Sequence, residues 1–156
     1  MKPYFAHERL VTFADTNLVG NVYFANHVVW QGACREAFLA EHAPGVVARL
    51  KTGELALVTV SCGCHYFGEL YAMDRVSVRM TLRALSYNHV TMDFAYYRVG
   101  GGPAQLVARG EQAVACMVRD ENGALVPVEV PGELRQALER YSGGSAAQAA
   151  GMARTK

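Results

Sequence analysis

The sequence predicts an α+β fold in which a curved, antiparallel sheet wraps around one long helix. The first observation is the order of elements: one strand precedes the helix, and at least four strands follow it in succession. The second is the composition of the helix predicted from His27 to His42, which carries few charges and is apolar on several sides. A helix of that composition is typically buried by the structure around it.

The first half of the chain supplies one strand, one structured loop and this helix. A strand is predicted over Tyr4–Phe13, and the run Asp15–Asn21 is rich in residues that favour turns. Asn26 is expected to cap the helix. Pro44-Gly45 is expected to end the helix, with an irregular connection reaching Gly53.

The second half is predicted to be mostly strands. Arg75–Leu85 is the clearest, because its even positions are apolar and its odd positions are mostly polar, as in a sheet covered on one face. A short helix is predicted at Val130–Tyr141, so the domain is expected to span residues 1–141 and residues 142–156 to form a disordered tail. The remaining strands are predicted at Leu55–Phe67, Val90–Arg98 and Gln105–Arg119.

Composition excludes several classes of function. Hydrophobic residues make up 51% of the 156, which excludes a disordered chain and favours extra apolar surface at a subunit interface or ligand site. The net charge of +1 gives no basic field for nucleic acid, so no nucleic-acid partner is expected. No apolar run is long enough for a membrane span and no signal peptide is evident, so we expect a cytoplasmic protein without membrane contact.

Motifs for metal, cofactor and serine chemistry are weak. Cys62 and Cys64 point to the same face of a predicted strand, but His65 points to the opposite face, so buried thiols are favoured over a metal site. There is no G-x-S-x-G elbow and no G-x-G-x-x-G after a strand, so neither a serine hydrolase nor a dinucleotide enzyme is predicted. We therefore expect neither a metal nor a cofactor.

The segment from Asp15 to His27, followed by Ala33-Cys34-Arg35, resembles the signature of hot-dog-fold thioesterases of the 4-hydroxybenzoyl-CoA thioesterase type. That signature is approximately D-x-D-x-x-G-x-V-Y-x-x-x-Y, with A-R further along the helix. The sequence departs from it twice. Asn17 stands where the family has its catalytic carboxylate, and His27 stands where the family has a tyrosine. The positions that match are Asp15, Gly20, Val22, Tyr23 and Arg35.

The stretches DTNLVGNVYF and WQGACRE look most like the thioesterases of enediyne polyketide synthases. This resemblance implies hydrolysis of a long polyene β-keto acyl thioester from an acyl carrier protein, with decarboxylation as a sequel. It also implies a homotetramer built as a dimer of dimers. Two alternatives stay open: a general acyl-CoA thioesterase, and a module that binds acyl thioesters without hydrolysing them.

Three features would carry the chemistry. The loop ending at Gly20 leads into a helix whose first N–H groups are free, and the resemblance implies that the Phe24 N–H is the oxyanion donor. Arg35 places a permanent charge on an apolar stripe, so it requires an anionic or strongly polar partner. Our hypothesis is that Asn17 and Arg35 hold and polarise water. The alternatives are an Asx-turn for Asn17 and a salt bridge for Arg35, with Glu36 too close in sequence to face it.

Further residues are weaker candidates. His27 could act as a base or serve only in packing or capping, and Tyr23 could line the site or a subunit seam. His65 and Phe67, at the end of a predicted strand, could border the acyl tunnel, although aromatic side chains at such places usually belong to the core. Alternative carboxylates are Glu36, Glu41 and Glu69, and basic residues that could meet a carrier protein are Arg49, Lys51, Arg79 and Arg83.

Overall fold

The elements of the computed structural model, which describes residues 2–142, follow the predicted order. This confirms the predicted α+β class. The predicted tail lies outside the described residues except for Ser142. Within the described range the strands are β1 Phe5–Leu10, β2 Ala56–Tyr66, β3 Arg75–Leu85, β4 His89–Val99, β5 Gln105–Arg119 and β6 Leu125–Pro127, and the helices are α1 Ala25–His42, α2 Pro44–Thr52 and α3 Gly132–Glu139.

One antiparallel sheet has the strand order β1-β3-β4-β5-β2, with the short β6 added to β5. Alternation in β3 places Val76, Val78, Met80 and Leu82 in the core, as the sequence predicts. At the other end of this order, β2 hydrogen-bonds to β5 and leaves its second side open within the described chain. The three long strands β3, β4 and β5 therefore lie inside the sheet, and β2 forms an extended edge.

Helix α1 packs against the inner face of this sheet along one stripe. Its opposite side stays exposed in the single chain, as the 62% exposure of Val29 shows. Some of the apolar side chains that the sequence places around this helix are therefore not buried within one chain. The buried stripe consists of His27, Trp30, Gln31, Cys34, Phe38 and Leu39.

The predicted start of α1 at His27 is wrong, whereas the helix ends at His42 as predicted. The helix starts at Ala25 with Phe24 at the N-cap position, and the Asn26 side chain instead donates to the Asp15 carbonyl oxygen at 2.8 Å. Beyond its end, Pro44 does not open an irregular connection but begins α2, because proline lacks the N–H that a first helical turn leaves unpaired anyway. Glu133 accepts from the free N–H groups of Gly45 and Val46 at 3.2 and 3.0 Å and so caps this second helix.

Other differences are small. Strand β1 ends at Leu10, and a short 3-10 turn at Phe13–Asp15 follows, because the Asp15 carboxylate accepts from the Thr12 N–H at 2.8 Å. Strand β6 is absent from the predictions, and α3 is shorter at both ends than predicted. Among residues 2–142, no helix is long and apolar enough to cross a membrane.

Candidate active site

The loop before α1 is a tight reversal that ends with an unpaired donor. The Asn17 N–H donates to the Asn21 carbonyl oxygen at 2.9 Å, and Gly20 adopts φ 92°, a left-handed conformation that favours glycine. Tyr23 then donates its N–H to the Asp15 carbonyl oxygen at 2.9 Å. The next N–H, that of Phe24, makes no hydrogen bond within residues 2–142 and lies at the positive end of the α1 dipole.

Exposed apolar side chains surround this donor. The rings of Tyr23 and Phe24 are in tilted contact, with centroids 4.7 Å apart and planes at 50°, and both residues are about half exposed. An apolar area of this kind around a polar donor is typical of a ligand site or a subunit interface. Other exposed apolar residues of the same loop and of the end of β2 are Leu18, Val19, Tyr66 and Phe67.

His27 lies buried below the helix start, with only 3% of its surface exposed. Its ring contacts Tyr66 edge-on, with centroids 4.8 Å apart, and neither ring nitrogen has a hydrogen-bond partner in the described chain. Burial lowers the pKa of His27, against opposing contributions from the Phe24 carbonyl and Glu69. The imidazole is therefore neutral near pH 7, and its position fits the predicted packing role as well as a base.

Tyr66 joins β2 to the start of α1. Its hydroxyl donates to the Phe24 carbonyl oxygen at 2.7 Å. Desolvation raises the pKa of Tyr66 to about 12, so the hydroxyl keeps its proton and remains a donor. This bond fixes the backbone of the residue whose N–H is the candidate oxyanion donor.

Arg35 projects from the middle of α1 toward β5. Its guanidinium donates from Nη1 to Oε1 of Gln112 at 2.8 Å, and its Nε is buried without a partner in the described chain. Nη2 also lies 3.6 Å from Oε1 of Glu36, so the expectation that Glu36 cannot face Arg35 is wrong. The long side chains bend around the helix surface and meet, although their Cβ atoms diverge.

Asn17 and Arg35 do not meet within one chain. The Asn17 side-chain oxygen accepts from the Val19 N–H at 3.0 Å, which is the Asx-turn that the sequence left as an alternative. Arg35 lies ten residues into α1, about 15 Å along the helix from its first residue at 1.5 Å per residue. A site that needs both side chains at the same atom of a substrate is therefore not formed by their hydrogen bonds in the single chain.

His65 lies on the other side of the sheet from Arg35. It lines an open cleft of about 370 Å³ on the outer face together with Arg79, Arg83 and Arg109. Arg79 lies between the rings of Tyr4 and Tyr97, with its guanidinium carbon 4.7 and 4.2 Å from their centroids, and Arg83 is paired with Asp93 and Glu111. The structure thus separates His65 from the helix start, while Phe67 is 61% exposed and donates its N–H to the Val107 carbonyl oxygen at 2.8 Å.

A small apolar space lies beside Arg35, between α1, α3 and the sheet. Its volume is about 10 Å³, roughly the room that one water needs, so an acyl chain enters only if the surrounding elements move apart. The residues that line it are Arg35, Phe38, Leu39, Leu57, Val90, Met92, Val114, Leu134 and Leu138.

Two buried glutamines belong to the site region and are missing from the predictions. Gln31 is fully buried between His27 and Arg35 on the same stripe of α1, and Gln112 faces Arg35 from β5. The signal that could have found them is a lone amide at an inward position of an otherwise apolar helix or strand. Within residues 2–142, no three His, Cys, Asp or Glu side chains lie close enough to hold a metal ion.

Comparison with known proteins settles the family. Residues 11–138 match the model of the thioesterase-like superfamily. The chain belongs to this superfamily. Its curated relatives include 1,4-dihydroxy-2-naphthoyl-CoA hydrolases from Microcystis aeruginosa (32% identical over 58% of this chain) and Synechocystis (26% identical over 75%). These matches cover 66% and 83% of the two relatives, so the chain spans just under two thirds of the first.

Solved structures agree with the hot-dog fold and with the predicted resemblance. The dynemicin thioesterase, whose structures are described as revealing induced-fit and allosteric effects upon polyene binding, is 55% identical with a TM-score of 0.85. That match covers 89% of this chain and 97% of the solved one. The Synechocystis 1,4-dihydroxy-2-naphthoyl-CoA thioesterase, at 24% identity and a TM-score of 0.75, shares the fold over 86% of this chain and 95% of its own. The prediction of a hot-dog thioesterase related to the enediyne enzymes is confirmed.

Proposed function

We propose that this protein hydrolyses the thioester of a long polyene β-keto acyl chain carried by an acyl carrier protein in enediyne polyketide biosynthesis. The observation that carries the proposal is 55% identity to the dynemicin thioesterase across 89% of the chain. Family membership supplies the reaction class, which is thioester hydrolysis. The free N–H at the start of α1 supplies a group suited to that reaction.

The Phe24 N–H stabilises the oxyanion in the proposed mechanism. Water adds to the thioester carbonyl carbon, and the carbonyl oxygen becomes negative as the tetrahedral intermediate forms. The intermediate collapses with cleavage of the C–S bond. The carrier thiolate is the leaving group and takes up the proton released by the attacking water, so the products are the free acid and the carrier thiol. A preorganised donor of this kind contributes about 2.7–4 kcal/mol when its loss is measured in related sites.

Asn17 and Arg35 orient the water and the acyl group. An amide is not a base near neutral pH, so rate enhancement comes from orientation and fixed dipoles rather than from proton abstraction by a carboxylate. The planar guanidinium of Arg35 also suits the carboxylate of a β-keto acid product. Decarboxylation of that acid then breaks the bond between the carboxyl and α carbons, releases CO2, and leaves a ketone once the α carbon takes up a proton.

The acyl chain enters the apolar space beside Arg35. Because this space has room for about one water, binding requires α1, α3 and the sheet to separate. Induced fit upon polyene binding is described for the dynemicin thioesterase, and we extend that behaviour to this chain. The apolar lining fits a hydrocarbon chain rather than a polar one.

The assembly is proposed to be a homotetramer made of two dimers. The open edge of β2 exposes Val58 and Val60, which supports strand pairing with a second copy. In the proposed dimer, Asn17 of one subunit and Arg35 of the partner subunit act on the same substrate. Four cysteines without disulfide partners in the described chain accord with the proposed cytoplasmic location.

Docking of the carrier protein on the predicted basic residues has uneven support. Arg49 is paired with Glu54 at 3.4 Å, and Arg83 is paired with two carboxylates. Lys51 lies exposed at the end of α2, whereas Arg79 lies on the outer face of the sheet. Of the four basic residues predicted to meet the carrier protein, Lys51 and Arg79 are therefore the better candidates, because Arg49 and Arg83 are paired with carboxylates.

A second candidate is an acyl-CoA thioesterase. The relationship to 1,4-dihydroxy-2-naphthoyl-CoA hydrolases favours it, because those proteins act on a CoA thioester. The two candidates share the thioester chemistry and differ in the carrier of the acyl group. The carrier therefore decides between them.

The test measures thiol release from three substrates: a polyene β-keto acyl carrier protein, the same acyl group on CoA, and 1,4-dihydroxy-2-naphthoyl-CoA. We expect kcat/KM for the carrier-bound chain to be at least about tenfold above the others, a difference of about 1.4 kcal/mol. Preference for either CoA thioester would favour the second candidate. Binding without thiol release from any substrate would favour a non-hydrolytic module. Mass spectrometry of the product distinguishes the keto acid from the decarboxylated ketone.

A further inference from the structure

Gln112 holds the Arg35 guanidinium in an unusual way. The Arg35 side chain is 19% exposed, and an arginine that is mostly removed from water is normally paired with a carboxylate, because it cannot lose its charge by releasing a proton. Here the acceptor at hydrogen-bond distance is a neutral amide, 5% exposed and 2.8 Å from Nη1. Glu36 lies farther away at 3.6 Å, and its side chain is 70% exposed, so water screens most of its attraction.

The remaining charges near this pair are accounted for. Cys62 and Met92 are the register partners of Gln112 on β2 and β4. Asp93 and Glu111, its nearest acidic neighbours on the strands, bind Arg83 on the outer face of the sheet. Within residues 2–142, Arg35 is thus paired with a carboxylate only through Glu36, at 3.6 Å and from the exposed side, and its buried Nε has no acceptor.

We propose that Gln112 is a positioning residue that fixes the orientation of the Arg35 guanidinium while leaving its charge free for the acyl substrate. A carboxylate at the same place would orient the guanidinium equally well but would neutralise it. An apolar side chain would remove the hydrogen-bond acceptor, so the guanidinium would be neither oriented nor solvated by this residue. The amide supplies direction without compensation, which is what binding of an oxyanion or product carboxylate requires. This inference rests on the proposed role of Arg35.

The decisive variant is Gln112→Glu, which keeps the shape and the hydrogen bond. We expect kcat to fall at least about tenfold while KM changes little and the melting temperature stays equal or rises. Gln112→Met, which removes the acceptor, lowers kcat and also broadens the orientation of Arg35. A merely structural Gln112 predicts wild-type kcat for Gln112→Glu, and that result would overturn the proposal.

The chain offers a matched control on its surface. Arg98 donates from Nη1 to Oε1 of Gln105 at 2.8 Å, the same pair at the same distance but exposed. Gln105→Glu should leave kcat unchanged. In an Arg35→Ala background, Gln112→Glu should cost nothing further, because its effect acts through Arg35.

A second readout separates this inference from the proposed function. The Nε–Hε resonance of Arg35 in 15N-arginine-labelled protein reports the order of the guanidinium whether or not the enzyme turns over. We expect a sharp, dispersed signal in the wild type and in Gln112→Glu, and an averaged signal in Gln112→Met. An unchanged signal in Gln112→Met would refute the positioning role, even in a protein that hydrolyses thioesters. Absence of hydrolysis with all substrates would overturn the proposed function alone.

Discussion

Gly110 on β5 and Gln31 on α1 share a space that holds only one side chain. A Cβ atom at position 110 would overlap Nε2 of Gln31 and would lie 2.9 Å from the Gly63 carbonyl oxygen. Nε2 of Gln31 donates to that same carbonyl at 2.9 Å. Glycine at position 110 therefore lets a helix side chain bond to the neighbouring strand across the inner face of the sheet.

Gly110→Ala should destabilise the fold. The amide of Gln31 would have to leave its bond to Gly63, and the backbone carbonyl cannot retreat cheaply, so we expect a loss of about 1–3 kcal/mol in the free energy of unfolding. Urea unfolding monitored by circular dichroism measures it. Gly63→Ala is the matched control, because a Cβ there meets nothing within 4 Å. Equal stability of the two variants would contradict the shared-space interpretation.

His27 should make stability depend on pH. Because burial lowers its folded-state pKa below the unfolded value of about 6.5, the unfolded chain binds a proton more readily as pH falls. The free energy of unfolding is therefore unaffected by this histidine well above pH 6.5 and decreases as pH falls below that value. His27→Phe should therefore lose less stability than the wild type between pH 8 and pH 5.5 in urea unfolding.

The control for His27 is His65→Gln, which removes an imidazole from the exposed end of β2. This variant should lose as much unfolding free energy between pH 8 and pH 5.5 as the wild type does. If His27→Phe and the wild type lose equal stability on acidification, the buried imidazole does not titrate with unfolding.

Asn17 can be tested without disturbing its loop. Asn17→Asp retains the oxygen that accepts from the Val19 N–H at 3.0 Å, so its melting temperature should match the wild type. The new carboxylate should add an ionisation to the pH profile of kcat, because a charge then faces the reacting carbonyl. Asn17→Ala should lower kcat by about 10–100-fold. An unchanged turnover and pH profile in Asn17→Asp would remove Asn17 from the reacting centre.

The open edge of β2 predicts how assembly and activity are coupled. Val60 is 55% exposed on that edge, and Val60→Lys should break strand pairing between subunits by adding a charge. Light scattering after gel filtration should show a lower molar mass for this variant than for the wild type. Its rate of thiol release should also fall, because the proposed site takes Asn17 and Arg35 from different subunits. Leu125→Lys, a change at an exposed residue of β6, is the control and should leave the mass unchanged. A dissociated but fully active Val60→Lys protein would contradict a site shared between subunits.

The sequence by itself determined the class of fold and the family. Alternation along β3 identifies the inward face of a strand, because side chains on successive strand residues point to opposite faces. The run from Asp15 to Tyr23 forms the loop that precedes α1, and that run together with Arg35 carries the resemblance that the comparisons confirm. These properties depend on neighbours in the chain, which a sequence displays directly.

Only the tertiary structure decided which side chains meet. Gln112 lies 77 positions from the arginine that it holds, and Glu133 caps α2 from 87 positions away. The second of these contacts explains why α2 forms where a local turn signal predicted an irregular connection. Contacts between distant segments depend on how the sheet and helices pack, and the separation of Asn17 from Arg35 within one chain is a result of that packing.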